Sequence, residues 1–416
     1  MDIHVSNPDL NRKRFPMNIK SFQHDPMPSV SPGRRVAVYY FLQAMSVGAV
    51  NAFAGIWLAF KGLGPEQIGV IFAVPVGVIM LIGLPIGRLS DRAADWRQGI
   101  VIGALASAIT PLGLFFVHGV WGLGLVWALA VTTQMMILPV TDAAALRLSR
   151  RQGGDFGMLY AWKTIGYLLV VFGSGFLVTR FGAKAFLPLF VGLSILRGFA
   201  SLGLPEFRAT REREALAPRT STRHFLRSVG PGFILPLAGW SMVHCTHFVL
   251  NGFLGLIWYE QGLSASTIGV LIGVSGLAET VLFFGFKHVA FRWSAERLIL
   301  VSCLAGVIRW TLFSFSPGVE VLVVLQLLHA VTYALGFLAC TNFIANWADE
   351  EVAAEAQSFF SILEAGLAIL ALVVFGWLSG TFGAKAFLAS AVFAATGWLL
   401  VWMSRYFQTW KVAGAG

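Results

Sequence analysis

The sequence predicts an all-α membrane protein, with twelve transmembrane helices arranged as two pseudo-symmetric six-helix bundles. Three observations predict it. The 416 residues are 57% hydrophobic and only 12% charged, with a mean hydropathy of +0.74. A water-soluble fold of that composition would expose far too much apolar surface, which leaves the polytopic membrane class. Twelve runs are long and apolar enough to cross a hydrocarbon core about 30 Å thick. The chain also repeats itself at half its length.

The predicted spans are 36–60, 66–87, 99–117, 120–146, 155–179, 184–204, 231–259, 266–287, 298–316, 320–345, 357–380 and 385–407. They divide the chain into a tail (1–35), a first bundle (36–204), a central loop (205–230), a second bundle (231–407) and a short C-terminal tail (408–416). The first 30 residues are polar, include Pro16, Pro26 and Pro28, and lack an apolar core. They are expected to be a disordered tail rather than a cleaved signal peptide. Cys245, Cys303 and Cys340 all fall inside spans and form no disulfide or metal spacing.

Charge sets the orientation. If both termini are cytoplasmic, the inner segments hold 23 Lys and Arg and the outer loops hold four: Lys61, Arg180, Lys184 and Lys385. That asymmetry predicts a multi-pass inner-membrane protein with both ends in the cytoplasm. The net charge of +10 is therefore a property of loops facing anionic headgroups, not of a nucleic-acid surface.

The repeat is explicit. GLGPEQIGV at residues 62–70 matches GLSASTIGV at 262–270, and FGAKAF at 181–186 recurs at 382–387. Each pair is about 200 residues apart, and each member holds the same place in its bundle. Parallel repeats of this kind place a solute site between the halves, near mid-membrane.

Three ionisable residues break the apolar runs of helices eight, nine and ten: Glu279, Arg309 and His329. A charge at the centre of such a helix costs a few kcal/mol. Three in succession should therefore face a protein-lined cavity and pair with one another. At 1.5 Å per residue, Arg309 lies about 10 Å, His329 about 13 Å and Glu279 about 20 Å from the outer ends of their spans. Arg309 and His329 can meet, with Glu279 beneath them. Glu279 is the expected proton carrier, and His329 its relay or a substrate ligand. The bland reading is a static buried salt bridge, which gives no reason to tolerate three such groups.

A second pair follows from the repeat. Lys163 on helix five maps onto Glu364 on helix eleven, so an ion pair across the halves is expected. Asp142 near the end of helix four, His247 on helix seven and Asn251 one turn on are candidate cavity residues. Arg197 is expected to snorkel from helix six. His244 and His247, spaced i, i+3, lack the further ligands that a metal site needs.

The motifs carry a resemblance. GRLSDR at 87–92, PVTDA at 139–143, HFVLNGFLGLIW at 247–258, FRWSAER at 291–297, GVIRW at 306–310 and LQLLH at 325–329 resemble the 3-phenylpropionate transporter group of the major facilitator superfamily. The layout of Glu279, Arg309 and His329 is similar to that of lactose permease. The resemblance implies a secondary transporter working by alternating access, with no cofactor but a proton gradient, acting as a monomer on a small-molecule substrate. It implies proton-coupled uptake of a small organic solute, with an aromatic carboxylate such as phenylpropionate as a candidate. It also implies that Gly87, Asp91 and Arg92 gate the conformational change, Asp91 docking near Gln357 and Ser358 at the start of helix eleven. Relatives often carry an Arg where this chain has Tyr160, and Lys163 offers a cation one turn away. Tyr40, Trp162 and Phe253 are aromatic cavity candidates. A proton-exchanging exporter is the alternative within the class. A polytopic membrane enzyme is the alternative outside it, but no HExxH, nucleophile elbow or paired magnesium-binding aspartates are present.

Overall fold

The computed structural model describes residues 31–92, 95–152, 156–207, 230–290, 293–347 and 353–413. The described elements are helical: α1 (Pro32–Phe60), α2 (Pro65–Arg92), α3 (Trp96–Ile109), α4 (Gly119–Gln152), α5 (Phe156–Phe181), α6 (Phe186–Leu202), α7 (Pro231–Glu260), α8 (Ala265–Ala290), α9 (Ala295–Phe313), α10 (Val319–Trp347), α11 (Ala353–Phe382) and α12 (Phe387–Ala413). Each overlaps one run expected to span, although α3 gives way to a 3-10 turn at Thr110–Phe115 within the run 99–117, and ten segments among the described residues are long and apolar enough to cross a membrane. α9 carries three charged residues, Glu296, Arg297 and Arg309, in its 19 residues.

Helices are forced here because lipid offers no partner for backbone N–H and C=O groups. Pro75, Pro85, Pro139 and Pro236 sit inside helices, as membrane helices permit. Polar caps mark the ends that need them. Asp95 accepts from the Arg97 amide at 2.6 Å and from the Phe207 amide at 3.0 Å, tying the start of α3 to the segment after α6.

The two sequence repeats are turns. Gly62 and Gly262 close α1 and α7 at φ +86° and +90°, and Gly182 and Gly383 precede α6 and α12 at φ +76° and +56°. Side-chain-bearing residues avoid that left-handed region. Each half therefore repeats its glycine because it repeats its turn.

Within the first half, α1 packs on α5 and α6, and α3 on α4 and α6; in the second, α12 packs on α7 and α9. The halves meet through α2 on α11, α5 on α8 and α1 on α7. Glycines make these crossings possible. A Cβ at Gly69 would lie 2.5 Å from the Leu372 carbonyl oxygen, and one at Gly269 would lie 2.6 Å from that of Val171. The two contacts are pseudo-symmetric copies of each other. Gly55 and Gly255 make the equivalent close approaches between α1 and α7. All these residues lie toward the end of the bundle opposite the start of α1. α4 packs on α1, α2, α3 and α5, and α10 on α7, α8, α9 and α11, each within its own half. Among the described residues these glycine-mediated close approaches between the halves gather at one end of the bundle, which we read as the closed end of a cleft between them.

Candidate functional site

One wall of the cleft is built on α7, α8, α9 and α10. Arg309 of α9 is fully buried. Its Nε donates to the Leu325 carbonyl at 2.9 Å, its Nη2 to Gln326 Oε1 at 2.8 Å and its Nη1 to Thr332 Oγ1 at 3.2 Å. The same Nη1 lies 3.3 Å from His329 Nδ1. The guanidinium also stands over the Trp310 and Phe313 rings at 4.8 and 5.3 Å. Gln326 is itself held, its Nε2 donating to the Leu271 carbonyl of α8 at 3.0 Å.

These bonds fix the imidazole. A guanidinium can only donate, so His329 Nδ1 must accept and the proton sits on Nε2. Nε2 points at Glu279 Oε2 of α8, 3.6 Å away. Glu279 retains 26% of its side-chain exposure and His329 only 9%. The result is a chain running from a sealed cation, through one histidine, to a carboxylate at the cleft.

The backbone of α10 makes this geometry. After Leu327 the helix widens into a π turn at Ala330–Leu335 before resuming at Gly336. Such turns interrupt the regular ladder and concentrate at functional sites. Ser302 of α9 donates to the Val331 and Thr332 carbonyls at 2.5 and 3.3 Å, satisfying groups the wide turn frees. His329, Thr332 and Tyr333 all sit at this irregularity. Thr332 also meets His247 Nε2 at 3.2 Å, while His247 Nδ1 donates to the Val243 carbonyl at 3.1 Å.

The opposite wall is built on α1, α4 and α5. Lys163 Nζ lies 3.1 and 3.2 Å from the two Asp142 oxygens, and the Tyr40 hydroxyl donates to Asp142 Oδ1 at 2.8 Å. The ammonium stands over the Tyr40 and Tyr160 rings at 5.2 and 4.8 Å. The site is a cation beside a carboxylate, boxed by two phenols.

The expected Lys163–Glu364 pair is not formed. Glu364 Oε1 instead lies 2.6 Å from His244 Nδ1 of α7, a neighbour in its own half. Each charge takes a partner within its own half. Two other expectations also need correction. Arg197 does not snorkel: it is fully buried, with Nη2 donating to Ser107 Oγ at 2.6 Å. Phe253 is packed against Phe72 and Phe375 at the seal between the halves, not on the cleft wall. Trp162 is half-exposed against Phe41, and Tyr160 stands beside Lys163. Asn251 is exposed on the same face of α7 as His244, two turns on. The side chains of Gly87, Asp91 and Arg92 lie outside the described residues.

Residues 34–395 match the model of the MFS_1 like family. The chain belongs to that family. Over 379 residues it is 28% identical to the probable 3-phenylpropionic acid transporter of Escherichia coli (strain K12), covering 87% of this chain and 95% of that protein. It is 24% identical to the maltose permease of Geobacillus stearothermophilus over 340 residues, covering 79% of this chain and 83% of the permease. In three dimensions it resembles the nucleoside transporter NupG, with a TM-score of 0.76, 16% identity and coverage of 90% of this chain and 98% of that one. This MFS_1-like chain is a multi-pass membrane transporter and not an enzyme.

Membership explains why polar groups are tolerated so deep. Asp142, Lys163, His244, Glu279 and Glu364 keep between 13% and 36% of their side-chain exposure about mid-helix. At that depth an MFS_1-like protein needs a wet cleft between its halves, since lipid would meet such groups at a cost of several kcal/mol. The sequence reading missed Gln326, Thr332 and Tyr333. Gln326 was within reach of it, one turn from His329 on the same face and inside the LQLLH motif.

Proposed function

We propose that the protein is a proton-coupled symporter that imports a small organic carboxylate, with aromatic acids of the 3-phenylpropionate type as the solute class. It works as a monomer by alternating access across a bacterial-type inner membrane, with both termini cytoplasmic. The state described is then the inward-open one, since the seal lies opposite the start of α1.

The observation that carries this reading is the Arg309–His329–Glu279 chain. Arg309 is held by four groups and cannot move without breaking all of them. It fixes the His329 tautomer, and His329 presents its one proton to Glu279. Glu279 is the open end of the chain and is free to exchange a proton with water in the cleft. A proton on Glu279 removes a negative charge facing the cleft, which lowers the repulsion that a carboxylate solute meets there. Lys163 is the cation on the opposing wall, and the Tyr40 and Tyr160 rings flank it. An arriving carboxylate can take the place of Asp142 at Lys163, with its apolar part against the phenols. No cofactor enters this scheme, and the proton gradient supplies the energy.

The test is transport by purified protein in proteoliposomes with an imposed pH gradient and labelled 3-phenylpropionate. Accumulation inside vesicles whose exterior is acidic supports symport. Expulsion under the same gradient assigns exchange, and movement that ignores the gradient removes the coupling.

A further inference from the structure

The relay does not use every carboxylate in the second half of the cleft. Glu364 of α11 and His244 of α7 form a separate contact at 2.6 Å, with side-chain exposures of 15% and 13%. Both atoms are sealed from solvent and neither has a formed hydrogen bond, so a proton taken up between them would relieve the contact. With His244 protonated at Nδ1 and Glu364 ionised, the pair is a carboxylate beside a neutral imidazole. It can hold one proton more, which would leave it neutral.

Its surroundings are those of an independent site. Neither atom is shared with Arg309, Gln326 or Thr332. From α7 the pair is faced by His247 and Cys245, with the Trp240 and Phe248 rings 5.7 and 5.5 Å from His244. From α10 it is faced by Tyr333, whose ring is 5.5 Å from that of His244, and by Cys340. The charged residues across the cleft are Lys163 and Asp142, which occupy each other. Tyr333 joins this pair to the relay. Its ring stacks on His329 at 5.4 Å, and it lies within electrostatic range of both Glu279 and Glu364. Two carboxylate–histidine pairs therefore flank one tyrosine at the π turn of α10.

We propose that His244–Glu364 is a second proton-accepting site, so that the transporter loads two protons in each cycle, one on Glu279 and one on Glu364. The inference rests on the proton-coupled reading above and sets its stoichiometry. The proton enters from water in the open cleft and binds to the Glu364 carboxylate, with no other bond made or broken. Loading both sites strips two negative charges from a single wall.

Two measurements test it, and the first needs no solute. Infrared difference spectra of purified protein between about pH 8 and pH 5 record carboxyl protonation directly. The wild type is expected to show a carboxyl band that Glu364→Gln removes and a separate one that Glu279→Gln removes, with Asp142→Asn identifying any third contribution. A Glu364→Gln spectrum that superimposes on the wild type overturns the proposal. The second measurement is the static accumulation of labelled 3-phenylpropionate at zero membrane potential. Two protons give about a hundredfold per pH unit and one gives about tenfold. The expected result is a fall from about a hundredfold to about tenfold in Glu364→Gln, since a neutral amide mimics the loaded carboxyl and can still bond His244. A wild-type value of about tenfold overturns the second site and leaves symport standing. If the wild type accumulates nothing, symport fails, and the spectra alone decide whether Glu364 binds a proton.

Discussion

Arg309 shows how much one side chain can organise. Its three nitrogens reach Leu325, Gln326, Thr332 and His329 in a fixed fork that lysine cannot copy. Arg309→Lys keeps the charge and loses the fork, leaving at least two buried acceptors unpaired at about 1–3 kcal/mol each. It is expected to lower the melting temperature and to cut gradient-driven uptake by more than tenfold. A variant with wild-type uptake would remove the relay from the mechanism. The ion pairs supply a second residue-scale prediction. Lys163 and Asp142 touch, so Lys163→Ala and Asp142→Ala should couple by about 0.5–3 kcal/mol in a double-mutant cycle on solute binding. Lys163→Ala and Glu364→Ala, on opposite walls, should instead add. Coupling in the second cycle alone would restore the cross-cleft pair that the sequence suggests. That misreading has a physical cause. Pseudo-symmetry correctly relates Lys163 to Glu364, but it does not say how far apart the walls stand or that His244 lies nearer.

At the scale of elements, the helices were legible because a lipid-spanning run has one viable backbone form. The twelve runs and their turns follow from hydropathy and from repeated glycines. The π turn at Ala330–Leu335 was not legible, because AVTYAL carries no proline or glycine to announce it. Its stability comes from Ser302 of α9 reaching across, which is a tertiary contact. The packing role of the glycines is readable only once their partners are known. Gly269 meets the Val171 carbonyl and Gly175, so Gly269→Leu should push α8 off α5 and disfavour the state sealed opposite the start of α1. The check is labelling of Tyr160→Cys in the cleft by a water-soluble maleimide. The rate should fall at least several-fold in Gly269→Leu, because the cleft closes where the seal opens. An unchanged rate would mean that α5 and α8 can part without closing the cleft.

For the whole molecule, the charge layout constrains what can occupy the cleft. One half offers Lys163 with its two phenols, and the other offers the carboxylates Glu279 and Glu364. A solute that bridges the walls in the closed state should carry an anionic group for the first wall and little negative charge for the second. An aromatic monocarboxylate fits, provided Glu279 is protonated first. A ligand that binds only the folded protein raises stability by about 2.7 kcal/mol at a hundredfold excess over its dissociation constant. Purified protein should therefore melt higher with 3-phenylpropionate, and the uncharged 3-phenylpropanol should give little or no shift. The acid's effect should vanish in Lys163→Ala while that variant's own melting temperature stays within a few degrees of the wild type's. Equal shifts from acid and alcohol would show that the ring alone is recognised. Lys163 would then be a partner for Asp142 and nothing more, and the solute class would have to be sought among neutral aromatic compounds.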